Sequence, residues 1–200
     1  SDAVLLAWYP SEEGGNAVAD LVFGKASPSG KLPITFPKSL DQLPAYEAYG
    51  MQGRTYRYLQ AEPMYPFGFG LSYAKFEYSG LKLPKKAVKG KPVEVEATVT
   101  NTGPAAGEEV VQLYLTHTAP KGQPTPLYTL KSFRRVQLAP GASQTVKFTL
   151  TPEQLARIDE QGRSVAPTAP VTVAVAGSLP SARSQALGAG KAATAQLAVK

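Results

Sequence analysis

Two adjacent carboxylate residues, Glu12 and Glu13, follow a pair of aromatic residues, Trp8 and Tyr9, near the start of the sequence. Two carboxylates that act as nucleophile and acid on one bond must lie on either side of it, about 5 Å apart. Neighbours in sequence point in different directions, so this pair cannot work together in that way. We therefore predict that Glu12 and Glu13 bind substrate, by accepting hydrogen bonds from hydroxyl groups or by orienting a positive group. The alternative is that their charge only stabilises the start of a helix, by about 0.3 to 1 kcal/mol.

Trp8 and Tyr9 are the aromatic residues that we expect in the same cleft. Packing beneath a turn is the alternative for both. They follow an apolar run, residues 3–7, which is typical of a strand buried on both faces. In open α/β sheets, ligands bind beyond the carboxyl ends of the strands, which is where residues 8–15 would lie.

The residues after this turn, 17–23, have the apolar spacing of a helix. We expect Asn16 or Ser11 to cap its first amide groups and Gly24 to end it in a left-handed conformation. We therefore predict that residues 1–45 form the end of an α/β sandwich domain. Because one strand and one helix cannot cover both faces of a sheet, we expect the missing strands to come from a segment upstream of Ser1.

Other residues with reactive side chains have less specific surroundings. His117 is the sole histidine, and without cysteine or a second histidine we predict no metal site and expect a surface loop residue. Glu108 and Glu109 would face opposite sides of one strand, so they do not form a catalytic pair. Arg54 and Arg57 lie near the joint between two domains, where an ion pair is the expected role and contact with substrate is the alternative.

The composition excludes several classes of protein. The 200 residues include no cysteine, so disulfides, thiolate metal sites and cysteine nucleophiles are excluded. The formal net charge is +6, but the basic residues are scattered and form neither a stripe nor a phosphate-binding loop, so we predict no nucleic-acid partner. No apolar run approaches the roughly 18 residues of a membrane span, so we predict no membrane partner.

Residues 46–75 form a connecting segment that is rich in aromatic side chains. We expect these rings to pack between domains, and a sugar-stacking platform is the alternative. Residues 55–59 could form a short strand, whereas residues 66–70 contain too much glycine and proline for regular structure. The alternation of glycine with aromatic residues there suits a backbone that is pressed against another layer.

From residue 76 onward the apolar pattern has the two-residue period of strands, with turn signals about every dozen residues. The pattern breaks at residues 132–133, where we predict a β-bulge. Residues 76–200 thus predict an all-β sandwich of the fibronectin-III-like (immunoglobulin-like) type. The predicted strands are residues 76–83, 93–99, 109–115, 128–138, 144–150, 171–176 and 192–199.

The sequence also predicts the structure of two connections within this sandwich. Thr151 is the predicted N-cap of one or two helical turns, and the following Pro152 suits the first helical position. We expect Leu155 and Ile158 to pack back on the sandwich. Residues 181–190 are small and polar, and we expect a mobile loop.

Four blocks of sequence, taken together and in their order along the chain, indicate a resemblance to a known protein family. They are Trp-Tyr-Pro-Ser-Glu-Glu-Gly-Gly-Asn-Ala at 8–17 with Ser-Gly-Lys-Leu-Pro-Ile-Thr-Phe-Pro at 29–37, Gly-Arg-Thr-Tyr-Arg-Tyr at 53–58, Tyr-Pro-Phe-Gly-Phe-Gly-Leu-Ser-Tyr at 65–73, and Gly-Glu-Glu-Val-Val-Gln-Leu-Tyr at 107–114. On these blocks the sequence resembles the C-terminal part of the family 3 glycoside hydrolases, which include β-glucosidases and β-xylosidases.

The resemblance implies an exo-acting, retaining β-glycosidase that hydrolyses terminal β-linked glucose or xylose residues, with a slight preference for the β-xylosidase branch. In that family an Asp of a barrel-like first domain is the nucleophile, and a Glu upstream of the Trp-Tyr-Pro motif is the acid/base. No position here matches either motif, so we assign no catalytic residue to this chain. The chain would complete the α/β domain and one wall of the cleft, and the added sandwich would stabilise it.

The same resemblance implies no cofactor, because a carboxylate nucleophile and protonation suffice. It implies two partners, which are an upstream catalytic segment, in the same or a separate chain, and an oligosaccharide substrate. The implied compartment is the periplasm or the extracellular space, with the cytoplasm left open. The alternative function is a non-catalytic β-sandwich module that binds polysaccharide or protein, although residues 1–45 make sense only as part of an α/β layer.

Overall fold

Two β-sheets dominate the structure, a computed structural model that describes residues 3–118, 125–159 and 161–199. One sheet has the order β1-β3-β6 and the other has the order β2-β10-β9-β4-β5. Neighbouring strands are antiparallel except for the short parallel pair of β2 and β10. The strands are β1 (Phe76–Lys82), β2 (Lys86–Ala87), β3 (Val93–Asn101), β4 (Gly107–His117), β5 (Thr129–Leu138), β6 (Ser143–Leu150), β7 (Arg157–Ile158), β8 (Ser164–Val165), β9 (Val171–Ala176) and β10 (Ala193–Val199), of which β7 and β8 form a separate two-stranded ribbon.

Side chains from both sheets meet in one core, as the two-residue period predicts. In β3 the buried Val93, Val95 and Val99 alternate with more exposed positions that include Glu94. Strand β4 lies between β9 and β5 and is buried on both faces at residues 111–115, where its sequence is mostly apolar. The predicted fibronectin-III-like sandwich is confirmed, and each of the seven predicted strands is present with ends shifted by at most a few residues.

The predicted bulge between β4 and β5 is also confirmed. Leu113 and Tyr114 are consecutive in β4, but they pair with Ser132 and Leu130 of β5, so Lys131 is the extra residue.

The described helices are short. They are α1 (Gly14–Val22), α2 (Thr55–Tyr58), α3 (Pro152–Leu155) and α4 (Ala182–Ala186), with a 3₁₀ turn at Leu40–Gln42. Helix α3 has the predicted N-cap: the Thr151 hydroxyl accepts a hydrogen bond from the Gln154 amide, and the Gln154 side chain accepts one from the Thr151 amide. Gly24 follows α1 with a φ of 74°, as predicted for its end.

Helix α1 begins differently from the prediction. Its N-cap is Glu13, and neither Asn16 nor Ser11 makes a side-chain cap. Instead, the side-chain amide nitrogen of Asn16 donates a hydrogen bond to the Glu13 carboxylate at 2.7 Å. The helix starts at Gly14, where an added Cβ atom would collide with the ring of Pro10, so glycine permits the tight turn that precedes the helix.

Four further sequence expectations are wrong. Residues 3–7 form no strand and are exposed, because a strand needs a neighbour and the described residues provide none. Thr55–Tyr58 is a helical turn rather than a strand. Residues 181–190 contain α4, whose N-cap Ser181 accepts a hydrogen bond from the Ser184 amide, so they are not an irregular loop. Leu155 packs into the core, but Ile158 is 63% exposed because the ribbon of β7 and β8 turns its side chain to solvent.

The connecting segment covers the outer face of the five-stranded sheet. The Tyr56 and Phe67 rings stack with centroids 4.1 Å apart, and Tyr56 meets the buried Tyr114 of β4 edge to face. Residues 66–70 are irregular, as predicted, and the Gly68 carbonyl accepts a hydrogen bond from the buried Gln112 side chain at 3.0 Å. These rings therefore pack against the sandwich.

Candidate functional site

The turn before α1 contains all four residues that the sequence predicts to bind substrate. Tyr9 is 99% exposed and Trp8 is 53% exposed. Glu12 and Glu13 are also exposed. The turn thus presents two aromatic and two acidic side chains on one short surface segment.

The backbone of this turn is strained at Trp8. Its φ is 55°, in the left-handed region that non-glycine residues seldom adopt. Such a conformation costs on the order of 1 to 3 kcal/mol and is concentrated at functional sites. The left-handed residue turns the chain sharply after the apolar run, so that Tyr9 projects fully into solvent.

The surface beside this turn is apolar and uncovered by any described residue. In the run before the turn, Val4 is 68% exposed and Leu5 is 46% exposed. At the end of α1, Val22 is 64% exposed and Phe23 is 80% exposed. A strand and a helix of an α/β layer would bury these side chains against neighbouring strands.

A buried charge cluster joins the loop after α1 to the sandwich, and the sequence analysis did not find it. Lys31 Nζ lies 2.9 Å from Glu109 Oε1 of β4 and donates to the Gly70 carbonyl at 2.8 Å. The Lys31 and Glu109 side chains are only 12% and 6% exposed. Glu109 Oε1 also accepts a hydrogen bond from the Val110 amide at 2.7 Å. Burial raises the pKa of Glu109, and the nearby Lys31 charge opposes this rise.

Tyr78 of β1 completes this cluster. Its hydroxyl oxygen is buried and has no hydrogen-bond partner of good geometry among the described residues. Burial raises the pKa of Tyr78, and the adjacent Glu109 carboxylate raises it further. Gly177 closes the cluster, since an added Cβ would lie 2.5 Å from the Tyr78 hydroxyl and 2.9 Å from Glu109 Oε2. The available sequence signal was a carboxylate within a central apolar strand, because a buried carboxylate requires a partner.

His117 lies at the end of β4, and its prediction as a surface loop residue is wrong. The side chain is 8% exposed, and its Nε2 atom lies 2.8 Å from the Leu155 carbonyl oxygen. Burial lowers the pKa of His117, and the hydrogen bond to Leu155 opposes that effect. Helix α3 packs over the strand end and covers the imidazole, which sequence alone does not show.

The ion pair expected of Arg54 and Arg57 is also absent among the described residues. The Arg54 guanidinium donates to the Ala45 and Ala48 carbonyls at 3.0 and 2.9 Å, which holds the loop that precedes it. The Arg57 guanidinium carbon lies 5.9 Å from the centre of the Tyr58 ring.

The described residues contain neither a cluster of metal ligands nor a helix that could span a membrane. No group of three or more His, Cys, Asp or Glu side chains could hold a metal ion in the described ranges. In those same parts of the chain, no helix has the length and apolar character needed to cross a bilayer.

Comparison with known proteins assigns both halves of the chain. The profile of the glycosyl hydrolase family 3 C-terminal domain matches residues 1–73, and that of the fibronectin type III-like domain matches residues 109–179. The chain belongs to glycoside hydrolase family 3. Its fold is the mixed one that the sequence predicts, with part of the family 3 C-terminal domain followed by a fibronectin-III-like sandwich.

The family 3 relatives are named as glycosidases. A xylan 1,4-beta-xylosidase of Xylanibacter ruminicola is 46% identical over 77% of this chain, and the match covers 17% of that protein. A periplasmic beta-glucosidase of Salmonella typhimurium is 40% identical over 78% of this chain, and the match covers 21% of that protein. The chain therefore spans about a fifth of the length of these relatives.

Solved structures of beta-glucosidases are similar in fold to this chain. A beta-glucosidase from Erythrobacter marinus superposes with a TM-score of 0.78 and 31% identity, over 96% of this chain and 24% of that one. A beta-glucosidase from Listeria innocua in complex with glucose gives a TM-score of 0.76 and 33% identity, over 96% of this chain and 27% of that one.

Proposed function

We propose that this chain forms part of an exo-acting, retaining β-glycosidase that hydrolyses terminal β-linked glucose or xylose residues. The observation that carries the proposal is the exposed turn at residues 8–13, which follows an uncovered apolar run and holds Trp8 in a left-handed backbone conformation. Completion of the sheet around that run would place the turn at the carboxyl end of a strand, where α/β sheets bind ligands. The names of the relatives support the class of reaction.

The chemistry is divided between this chain and an upstream segment. Retaining hydrolysis needs two carboxyl groups about 5 Å apart, one as nucleophile and one as acid/base. Glu12 and Glu13 are adjacent and exposed, so the upstream segment supplies both catalytic carboxyl groups. In this chain Trp8 and Tyr9 stack on the sugar, while Glu12 and Glu13 accept hydrogen bonds from its hydroxyl groups.

The sandwich holds the turn in position through the loop after α1. The Tyr73 hydroxyl donates to the Leu21 carbonyl at 2.6 Å, and the Ser27 and Ser72 hydroxyls are 2.8 Å apart. The buried pair of Lys31 and Glu109 fixes the same loop to β4. The contacts of Ser72 and Tyr73 join α1 and the loop after it to the connecting segment, and Lys31 joins that loop to the sandwich. The connecting segment and the sandwich together therefore act as a rigid support for the cleft wall.

The compartment we propose is the periplasm or the extracellular space. The support is that one relative of this chain is named a periplasmic beta-glucosidase. Fractionation of cells that express the full-length protein tests this placement, which activity confined to the cytoplasm would contradict.

The test of the catalytic proposal compares the 200-residue chain with the same chain joined to its upstream segment. Hydrolysis of aryl β-glucosides and β-xylosides is expected only when the upstream segment is present. Turnover by the 200 residues alone would refute the placement of the catalytic carboxyl groups. Lack of turnover by the joined protein, together with tight polysaccharide binding, would favour a non-catalytic module.

A matched pair of variants tests the role of the turn. Tyr9→Ala in the joined protein should lower kcat/KM by about 3- to 10-fold, the loss expected for one aromatic contact. The control is Tyr46→Ala, since Tyr46 is also a highly exposed tyrosine, 85% exposed, but lies on a different loop. Equal effects of the two substitutions would show that Tyr9 does not contact the sugar.

A further inference from the structure

A cleft opens between the connecting segment, β1 and the loop that follows α4. Its volume is about 390 Å³, within the range of roughly 300 to 1,000 Å³ that is usual for small-molecule sites. Its lining includes residues 70–72, 74–78 and 188–190, together with the buried Lys31 and Glu109.

The charges around this cleft balance. Lys31 and Lys75 contribute two positive charges, and Glu77 and Glu109 contribute two negative charges. A balanced lining gives no net attraction for an anion or for a cation. The chemistry of the lining therefore favours a neutral ligand.

Polar groups at the cleft are available to a ligand. The exposed side chains of Lys75, Glu77 and Thr102 line it, and none makes a side-chain hydrogen bond or ion pair with another described residue. They offer an ammonium donor, a carboxylate acceptor and a hydroxyl that serves as either. A ligand with several hydroxyl groups can satisfy all three, because each hydroxyl both donates and accepts a hydrogen bond.

Apolar and backbone surface completes the lining. Leu71 is 52% exposed and faces Gly188, whose φ is 97° and whose added Cβ would lie 3.7 Å from the Leu71 side chain. Ala189 and Gly190 present little but backbone. The cleft therefore combines one apolar wall with free hydrogen-bonding groups, a combination that suits a sugar ring with its apolar CH face and its equatorial hydroxyls.

We propose that this cleft is a binding site for a neutral monosaccharide or for the terminal ring of a neutral oligosaccharide. The proposal rests on the lining and not on the catalytic role of the turn at residues 8–13. A sugar here would contact the connecting segment, β1 and the loop after α4 at once, so its binding would stabilise the joint between the two parts of the chain.

The experiment titrates the ¹⁵N-labelled chain with D-glucose and with D-xylose, each up to about 100 mM, and follows the backbone amides by NMR. The chain is joined to its upstream segment if the 200 residues alone do not give a dispersed spectrum. Saturable shifts of the Gly177, Gly188, Ala189 and Gly190 amides are expected. No saturable shift at these amides with either sugar would overturn the proposal.

Three variants and two charged sugars sharpen the test. Ala189→Trp would fill the cleft and should weaken binding by more than about tenfold, whereas Ala186→Trp, on the exposed side of α4, should leave it unchanged. Glu77→Gln, at an exposed position that should not affect folding, should weaken binding several-fold. Equal binding by Ala189→Trp and Ala186→Trp would place the sugar elsewhere.

Tighter binding of glucuronate or glucosamine than of glucose would refute a neutral ligand. Because these readouts do not involve turnover, they are independent of the test of catalysis.

Discussion

The ion pair between Lys31 and Glu109 is the individual contact with the largest expected energetic consequence. Both side chains are almost fully buried, and the lysine satisfies the carboxylate and the Gly70 carbonyl together. A buried pair of this kind contributes little net stability over an apolar pair, but the loss of one partner leaves a buried charge without compensation. The pair is therefore a sensitive probe of how the loop after α1 is held.

Lys31→Met should lower the free energy of unfolding by about 3 to 5 kcal/mol, because Glu109 would remain buried and unpaired. The control is Lys147→Met, since Lys147 is 69% exposed and pairs with the half-buried Glu96 at 2.7 Å on the surface. That change should cost far less, because water and salt screen an exposed ion pair. Urea-induced unfolding measures both values, and a similar cost for the two substitutions would contradict the burial of the first pair.

His117 makes stability depend on pH near neutrality. Burial lowers its pKa in the folded state below the ordinary value of 6.5, so the unfolded chain binds a proton more readily. Stability is then fully present above pH 6.5 and is lost as the pH falls through 6.5 toward the lower folded pKa. The wild-type protein should thus lose more stability than His117→Gln between about pH 7.5 and 5.5. Parallel thermal melting profiles of the two proteins over that range would contradict this expectation.

Among the elements, the irregular stretch 66–70 depends most on close packing. Gly68 has a φ of 71°, and an added Cβ would collide with the Gln112 side chain and lie 2.8 Å from the Tyr114 hydroxyl. Gln112 donates to the carbonyls of Gly68 and Gly177, so it ties this stretch to the end of β9. Glycine is required here both by the backbone conformation and by the space available.

Gly68→Ala should be more destabilising than Gly90→Ala. The difference between their free energies of unfolding measures the cost of the collision at residue 68. Gly90 also has a positive φ, 72°, but no atom lies within 4 Å of its added Cβ. Both alanines are strained by the left-handed backbone, whereas only the first is overpacked, which should cost about 1 to 3 kcal/mol more. Thermal or chemical unfolding of the two variants measures this difference. Equal destabilisation would show that Gln112 moves aside without cost.

At the scale of the whole molecule, the connecting segment behaves as part of the sandwich. Phe67 and Tyr56 cover Tyr114, which has no exposed surface, and Leu130 donates its amide to the Tyr56 hydroxyl at 3.3 Å. The Leu127 amide likewise donates to the Arg57 carbonyl at 2.7 Å. The outer face of the five-stranded sheet is therefore not a solvent surface, and a stable fragment must include the residues that cover it.

A chain of residues 76–200 should be less stable than a chain of residues 54–200, although both contain every described strand. The shorter chain exposes Tyr114 and leaves the Gln112 side chain with one of its two carbonyl partners. We expect a loss of at least about 3 kcal/mol, from the removed aromatic packing and the unsatisfied amide. Thermal unfolding and the binding of a hydrophobic dye measure the effect. A shorter chain that melts at the same temperature would show that the segment is only a linker.

The strands of the sandwich and the cap of α3 can be predicted from the sequence alone. The alternation in β3 and the Thr151–Gln154 capping box are local patterns, since each depends on residues within one strand or one helical turn. The four predicted substrate-binding residues at 8–13 are aromatic and acidic residues of one predicted turn, and all of them lie on one exposed turn of the structure. Their contact with substrate stays a prediction.

Contacts between distant parts of the chain could not be predicted from the sequence, because they depend on how the elements pack together. Lys31 and Glu109 meet because the loop after α1 folds onto β4, and neither residue carries a sequence pattern that names the other. His117 is buried by α3 for the same reason. Residues 3–7 have the composition of a strand but remain exposed, because a strand exists only when a neighbour accepts its backbone hydrogen bonds, and pairing is a property of the assembled sheet.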